Sequence, residues 1–251
     1  MKLQYLSDLH LEFTDNRAWL AKNPIQPIGD ILLVAGDTDY LGDDFGGLAF
    51  WDYCADNFQH TYIIPGNHEY YGGFDIGRQP ISFREVLRPN VTLLNNAVEE
   101  VAGTRLVFST MWSRIEERVA EVRRGLNDFR RIRYNGHALT VDDFNRLHDE
   151  SWDFLSREIA KPGPKVVVTH HLPADGCNAP VFRGSAINEA FCIDKTAVIE
   201  ASDITAWIYG HSHRNVATFD LAGTLMTTNQ LGYVTYGEQA DFSRARCLEI
   251  K

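Results

Sequence analysis

The sequence predicts an α/β fold, and two observations carry that expectation. Over the first seventy residues, apolar runs typical of buried strands (residues 3–6, 31–34 and 62–64) alternate with helix-compatible stretches. Residues 45–58 read as a helix, with Leu48, Trp51, Tyr53, Ala55 and Phe58 supplying bulk. Such alternation implies a largely parallel sheet covered on both faces. The second observation is where polar residues fall. Asp8-Leu9-His10, Gly36-Asp37, Gly66-Asn67-His68-Glu69, His170-His171 and Gly210-His211-Ser212-His213 all follow apolar, strand-like runs. Carboxylate, amide and imidazole groups therefore collect at the carboxyl ends of strands, where open α/β sheets bind their ligands.

The rest of the chain extends the same pattern. Residues 91–94 and 105–110 read as strands separated by the turn-like Ala102-Gly103-Thr104. Residues 112–164 differ: they are charge-rich, hold no strand run, and read as a helical excursion. Thr140-Val141-Asp142-Asp143 has the form of a capping box. Phe144, Leu147, Ser151, Leu155 and Ile159 then recur on one helical face, and Pro162-Gly163-Pro164 stops the helix. Strands follow at residues 166–168 and 206–209, with an irregular stretch at 173–188 between them and terminal strands near Leu225 and Cys247. With no internal repeat, low-complexity tract or linker, one domain over residues 1–251 is the expectation.

Bulk properties narrow the function classes. The chain has 251 residues, 44% of them hydrophobic and 23% charged, the composition of a folded globule. A net charge of −10 argues against a nucleic-acid partner, which needs many Lys and Arg contacts to phosphates. No stretch approaches the roughly 18 apolar residues of a membrane span, and Met1-Lys2-Leu3-Gln4 opens directly into a strand without a signal-peptide core. The four cysteines lack C-x-x-C spacing, which suits isolated thiols in a reducing compartment. The expected location is cytoplasmic, with no membrane partner.

Hydrolysis of a phosphate ester brings hydroxide against an anion and adds charge to its oxygens. Two cations about 3.5–4 Å apart meet both needs by acidifying a shared water and clamping the phosphoryl group. Such a pair requires a bridging carboxylate, several imidazoles and a neutral oxygen donor. Asp8, His10, Asp37, Asn67, His170, His211 and His213 supply that set. Asp8 and His10 are expected to point the same way at period two, as are His211 and His213. The same logic separates His170, the expected ligand, from His171, which is expected beside it. Mixed nitrogen and oxygen donors suit two ions drawn from Mn, Fe, Zn or Co.

From residue 5 to residue 213 these motifs resemble the calcineurin-like metallophosphoesterases, whose pattern is D-x-H, G-D, G-N-H-E/D, a histidine after a strand, and G-H-x-H. The opening Ser7-Asp8-Leu9-His10-Leu11-Glu12-Phe13 and the closing Tyr209-Gly210-His211-Ser212-His213 are similar to the small single-domain bacterial branch. The resemblance implies two mixed β-sheets sandwiched between helices. It implies a first metal on Asp8, His10 and His213, a second on Asn67, His170 and His211, and Asp37 bridging both, with a metal-bridging hydroxide as nucleophile. It also implies that His68 faces the scissile ester, as proton donor to the leaving oxygen or as phosphoryl ligand; an imidazole suits that transfer near neutral pH. The Ser/Thr protein phosphatases of the family carry G-D-x-V-D-R-G; here Gly36-Asp37-Thr38-Asp39-Tyr40-Leu41-Gly42 lacks the Arg and places Asp39 one position early. The expected substrates are instead small phosphomonoesters or phosphodiesters, including nucleotides and cyclic nucleotides. Two alternatives stand beside this: a nuclease acting on nucleic-acid ends, which needs a basic trough, and a non-catalytic metal-binding scaffold of the same fold.

Three histidines outside the motifs, His60, His137 and His148, are expected to be structural or superficial. The excursion holds Arg114, Arg118, Arg123, Arg124, Arg130, Arg131 and Arg133, mostly interleaved with acids as on a solvated face. In Asn127-Asp128-Phe129-Arg130-Arg131-Ile132-Arg133 one acid balances three arginines, so Arg130 and Arg131 join Asn67 and His68 as candidate substrate contacts. Tyr70-Tyr71-Gly72-Gly73-Phe74 is expected to pack rather than to stack on a ligand.

Overall fold

The computed structural model describes residues 1–42 and 44–250. In chain order the chain forms β1 (Lys2–Leu6), α1 (Thr14–Lys22), β2 (Ile31–Ala35), α2 (Ala49–Asn57), β3 (His60–Ile64), β4 (Phe83–Arg88), β5 (Val91–Asn95), β6 (Ala97–Val101) and β7 (Thr104–Ser109). The excursion carries α3 (Val119–Gly125), α4 (Asp128–Arg131), β8 (Arg133–Tyr134), β9 (His137–Ala138) and α5 (Val141–Ile159). Then come β10 (Lys165–Thr169), α6 (Thr196–Glu200), β11 (Ile204–Tyr209), β12 (Phe219–Leu221), β13 (Thr224–Thr228) and β14 (Cys247–Glu249).

Two six-stranded sheets result, ordered β14-β1-β2-β3-β5-β4 and β12-β13-β11-β10-β7-β6. Parallel strands occupy the middle of each sheet, and an antiparallel strand closes each edge. Both are therefore mixed sheets, as the family resemblance implies. Alternation along the strands builds the layers. Leu3, Tyr5, Ile31, Leu33 and Ile64 of the first sheet meet Phe108, Val166, Val168, Ala206 and Ile208 of the second. On the outer face of the first sheet Leu6, Leu32, Val34 and Ile63 pack with Trp51 and Cys54 of α2. On the outer face of the second, Val107, Val167 and Trp207 pack with Leu155 and Ile159 of α5 and Ile199 of α6. Helix, sheet, sheet and helix stack in four layers.

The long helix α5 starts where its cap predicts. Thr140 Oγ1 accepts from the Asp143 N–H at 3.2 Å and the Asp143 carboxylate accepts from the Thr140 N–H at 3.0 Å. Phe144, Leu147, Ser151, Leu155 and Ile159 are all buried. Phe144 and Leu147 join the core under the first sheet and Leu155 and Ile159 the core under the second, so α5 spans both.

Two expectations need correction, and two strands carry no signal in the sequence. The excursion does hold strands: β8 and β9 form a minimal hairpin around Asn135 and Gly136, both at positive φ as a two-residue hairpin turn demands. Their two-residue length leaves no apolar run to read. The helix expected over residues 45–58 is broken at Leu48, whose extended backbone (ψ 127°) separates a 3₁₀ turn at Phe45–Gly47 from α2. Strands β4 and β6 carry little apolar signal because they lie at sheet edges, where Arg84, Glu85 and Glu100 are exposed, Arg84 pairs with Glu99, and Arg88 pairs with Asp52 of α2.

Candidate metal centre

The candidate ligands stand on turns at the carboxyl ends of the central strands. Asp8 and His10 follow β1, Asp37 follows β2 and Asn67 follows β3; His170 follows β10, and His211 and His213 follow β11. Five of these seven adopt the left-handed backbone conformation: φ is 55° at Asp8, 48° at His10, 55° at Asp37, 76° at His211 and 51° at His213. That conformation costs a non-glycine residue roughly 1–2 kcal/mol, so the surrounding structure must hold each in place. The turns after β1 and β2 hold one another: the N–H groups of Asp8, His10 and Leu11 donate to the carbonyls of Gly36 (2.9 Å), Asp37 (2.9 Å) and Thr38 (2.7 Å). Asp8 and His10 thus converge through tight turns beyond the strand, not through the pleat that period-two spacing suggests. The glycines also differ in their reason. Gly36 has φ 89° and a turning role, but Gly66 makes room: a Cβ there would lie 2.2 Å from Asp37 Oδ1 and 2.7 Å from His170 Nε2.

The side chains gather into two groups sharing one carboxylate. Asp8, His10, Asp37 and His213 bring ligand atoms within 4.8 Å of one another, and so do Asp37, His170 and His211. Asp37 spans the two, with Oδ2 3.6 Å from His10 Nε2 and Oδ1 3.4 Å from His170 Nε2. Asn67 Oδ1 lies 3.2 Å from His170 Nε2, which adds the neutral oxygen donor to the second group.

Hydrogen bonds on the far side of each imidazole test whether this set fits metal ions. His10 Nδ1 meets Glu12 Oε1 at 3.0 Å and His213 Nδ1 meets Glu238 Oε2 at 2.8 Å. His170 Nδ1 meets the Ala35 carbonyl at 2.8 Å and His211 Nε2 the Ala190 carbonyl at 3.3 Å. Oxygen acceptors at these positions call for an N–H on each ring, which leaves the opposite nitrogen with a lone pair. Those bare nitrogens face each other in pairs: His10 Nε2 and His213 Nε2 at 2.9 Å, His170 Nε2 and His211 Nδ1 at 3.1 Å. Two lone pairs at such a distance repel unless a cation or a proton lies between them. Two nitrogens each about 2.1 Å from one ion and at right angles would be about 3.0 Å apart. The donor set fits two cations.

Electrostatics agree. Burial pushes the His170 imidazolium toward the neutral form, but the Asp37 charge prevails and raises its pKa to about 9. Burial is likewise overcome at His213, where Asp8 and Glu238 raise the value to about 10. His211 goes the other way, to about 3, through burial and the neighbouring His170 charge. Burial raises Asp37, but the charges of His170 and His68 outweigh it and hold its carboxyl well below the usual range. Each carboxylate-lined group draws one positive charge to itself.

Several residues that sequence reasoning left without a role support the centre. Glu12 Oε1 accepts from His68 Nδ1 at 2.8 Å, and so orients the imidazole whose anchor the motifs did not reveal. Its signal was the acid two residues after His10. Asp128 and the Tyr71 hydroxyl hold Asn67 Nδ2 at 2.9 and 3.2 Å, turning its oxygen inward. Glu69 accepts from the N–H groups of Asp37 (2.9 Å), Thr38 (2.7 Å) and Gly66 (2.6 Å), tying together the turns after β2 and β3. Tyr233 places its hydroxyl 3.1 Å from His68 Nε2. Nothing in the local sequence of Tyr233 or Glu238 signals the site; they arrive from the irregular segment after β13.

The remaining candidates divide. His68 lies beside the centre, its N–H donating to Asp37 Oδ1 at 2.9 Å and its ring 4.5 Å from that of His10. Its other face stacks on Tyr71 at 4.2 Å. Arg131 flanks this wall, with its guanidinium 5.3 Å from the Tyr71 ring and 3.3 Å from the Tyr40 hydroxyl. Arg130 does not join it: its guanidinium turns to the Arg124 carbonyl at 2.6 Å. His171 is buried, accepts from the Ser113 N–H at 2.7 Å and stacks on His211 at 4.2 Å, so it packs behind a candidate ligand. His60 and His137 are exposed, and His148 is buried against the Trp112 carbonyl.

Known proteins resemble this chain in sequence and in fold. Residues 1–215 match the family model of the calcineurin-like phosphoesterases. An uncharacterised protein of Acanthamoeba polyphaga mimivirus is 30% identical over 258 residues, covering 92% of this chain and 91% of the viral one. Among solved structures, phosphopantetheinyl hydrolase from Mycobacterium tuberculosis superposes with a TM-score of 0.71 at 19% identity, covering 98% of this chain and 95% of its own. A dimetal phosphatase from Danio rerio gives a TM-score of 0.44 at 15% identity, covering 92% of this chain and 87% of its own. Among the described residues no helix is long and apolar enough to cross a membrane. The chain belongs to the calcineurin-like phosphoesterase family and is a metal-dependent phosphoesterase.

Proposed function

We propose that this enzyme hydrolyses small phosphomonoesters or phosphodiesters with two metal ions. One is held by Asp8, His10 and His213, the other by Asn67, His170 and His211, with Asp37 shared between them. The observation that carries this reading is the pairing of four imidazole nitrogens, each left bare by a hydrogen bond on its far side. The mixed nitrogen and oxygen donors suit Mn²⁺, Fe²⁺ or Fe³⁺, Zn²⁺ and Co²⁺. When bound, such ions lower the pKa of water and neutralise charge on phosphoryl oxygens.

The chain's own residues position and protonate. Glu12 fixes the His68 ring through Nδ1, so Nε2 is the atom that meets the ester. Protonated there, His68 donates to the oxygen of the departing alcohol while water adds to phosphorus. Tyr71 stacks under the ring and fixes its tilt. Arg131, whose guanidinium donates to the Tyr40 hydroxyl and the Tyr71 carbonyl and to no carboxylate among the described residues, offers a cation at the wall for a non-bridging oxygen.

The test combines elemental analysis with a screen of phosphomonoesters, phosphodiesters and cyclic nucleotides on the Mn²⁺-loaded protein. Two ions per chain and turnover of at least one class are expected. Two bound ions with no turnover of any class would overturn the enzymatic assignment in favour of a scaffold.

A further inference from the structure

Among the described residues two large aromatic side chains are exposed, Phe13 (39%) and Tyr236 (77%). Both line one cleft of about 300 Å³, together with Asn16, Tyr233 and Thr235. Leaving apolar rings in water forgoes burial worth about 25 cal/mol per Å². Two such rings on one cleft, at the low end of the size range for ligand sites, form a wall available for a ligand. The cleft adjoins the centre through Tyr233, whose hydroxyl is 3.1 Å from His68 Nε2 and whose ring is 4.6 Å from His10 and 4.4 Å from His213. Phe13 packs edge-on against the same tyrosine at 5.4 Å, and Tyr236 does so at 6.0 Å.

The polar inventory of the cleft restricts its occupant. Among the described residues no Lys or Arg lines it. Asn16 is fully engaged, donating to the carbonyls of Leu9 (2.9 Å) and Gly232 (2.8 Å) and accepting from the Val234 N–H at 3.2 Å. Thr235 donates to Asp15 at 2.9 Å, which brings a negative charge to the rim. An anionic group is disfavoured there, and few polar groups are free to read hydrogen-bond patterns. What remains is ring surface, which stacks on any planar system.

We infer that this cleft is the leaving-group subsite and takes an uncharged planar aromatic moiety, the class that includes nucleosides and aryl-substituted alcohols. The inference rests on the assignment of His68 as proton donor, because the donor marks the side on which the alcohol departs. Water adds to phosphorus, the P–O bond to the alcohol breaks, and the proton on His68 Nε2 passes to the departing oxygen. The released aromatic alcohol then lies against Phe13, Tyr233 and Tyr236.

Two esters whose alcohols have similar basicity isolate the ring: 2-phenylethyl phosphate and n-butyl phosphate. The corresponding phosphonates, which do not hydrolyse, report binding by calorimetry even without turnover. The metal-loaded enzyme should prefer the phenyl member of each pair by about tenfold or more. Tyr236→Ala should remove most of that preference, and Tyr236→Phe should retain it. The exposure of Tyr236 makes loss of folding a poor explanation, and metal content checks the centre independently. Equal affinity for the two phosphonates, or a preference untouched by Tyr236→Ala and Phe13→Ala, would overturn the subsite. If the phosphonates differ as expected but neither ester turns over, the aromatic cleft stands and hydrolysis of phosphomonoesters at this centre falls.

Discussion

Glu12 Oε1 accepts a hydrogen bond from His68 Nδ1 at 2.8 Å while lying 3.0 Å from Nδ1 of His10. One oxygen therefore fixes both a candidate metal ligand and the candidate proton donor, and the other oxygen, Oε2, is buried without a partner. Burial raises the Glu12 pKa, but the two imidazoles prevail and hold the carboxylate below its usual value. The proposed metal ligand His10 and the proposed proton donor His68 thus share one carboxylate, on the turn after β1.

Glu12→Gln should impair both functions together. Loss of a carboxylate behind a ligating histidine typically costs about 10- to 100-fold in metal affinity or activity. Metal titration and leaving-group dependence, measured on one preparation, check this. A variant that loses turnover but binds metal as tightly as wild type would show that His10 does not depend on Glu12.

His68→Ala should cost about 10²–10⁴-fold on an alkyl phosphate, where the leaving oxygen must be protonated. The loss on p-nitrophenyl phosphate should be clearly smaller, because nitrophenolate departs unaided. Two metals should still be bound. Equal losses on both esters would assign His68 to phosphoryl binding instead.

Asp37 belongs to both ligand groups, so Asp37→Ala should lose activity and at least one metal equivalent together. In the wild type, chelation should abolish activity and Mn²⁺ should restore it. Elemental analysis showing two ions and normal turnover in the variant would contradict the bridging assignment.

Arg131→Ala should raise KM for at least one substrate by about tenfold, the worth of a charge-assisted hydrogen bond, with kcat little changed. Arg130→Ala should leave KM unchanged, because its guanidinium faces the Arg124 carbonyl. The reverse order would place the wrong arginine at the wall.

His148 should make the fold acid-sensitive. Burial, aided by the nearby Lys195 and Arg114 charges, depresses its pKa from 6.5 to about 4. The unfolded chain then takes up a proton below pH 6.5 that the folded chain refuses until about pH 4. Stability is complete above pH 6.5 and is lost as pH falls toward 4, by about 3 kcal/mol in all. His148→Gln should lose less between pH 7 and pH 4.5 than wild type in urea unfolding. Parallel losses would exonerate His148.

Much of this architecture was legible because the central strands are buried on both faces. Residues 31–34, 62–64, 166–168 and 206–209 are continuous apolar runs, and motifs placed just after them fall at one end of the sheets. Edge strands such as β4 and β6 were not legible, because their outward charges break the alternation. The candidate ligands could be named from their spacing, whereas the groups behind them could not. Glu12 sits inside a motif, but only the fold brings it to His68, 56 residues away. Asp128, Tyr233 and Glu238 reach the centre from segments with no periodic pattern, where chain direction depends on tertiary packing. Arg130 and Arg131 are adjacent and chemically identical; the turn of α4 alone decides which one faces Tyr71.

Each ligand group draws on both sheets. Asp8, His10 and Asp37 need His213, and Asp37 with Asn67 needs His170 and His211. During synthesis the ribosome releases the first four donors by residue 67 and the last by residue 213. Neither group can close on a partial chain, so a nascent polypeptide offers a passing ion only scattered, weak donors. On the proposed assignment, loading waits until the two sheets have packed face to face, which makes correct assembly the gatekeeper for acquiring the cations.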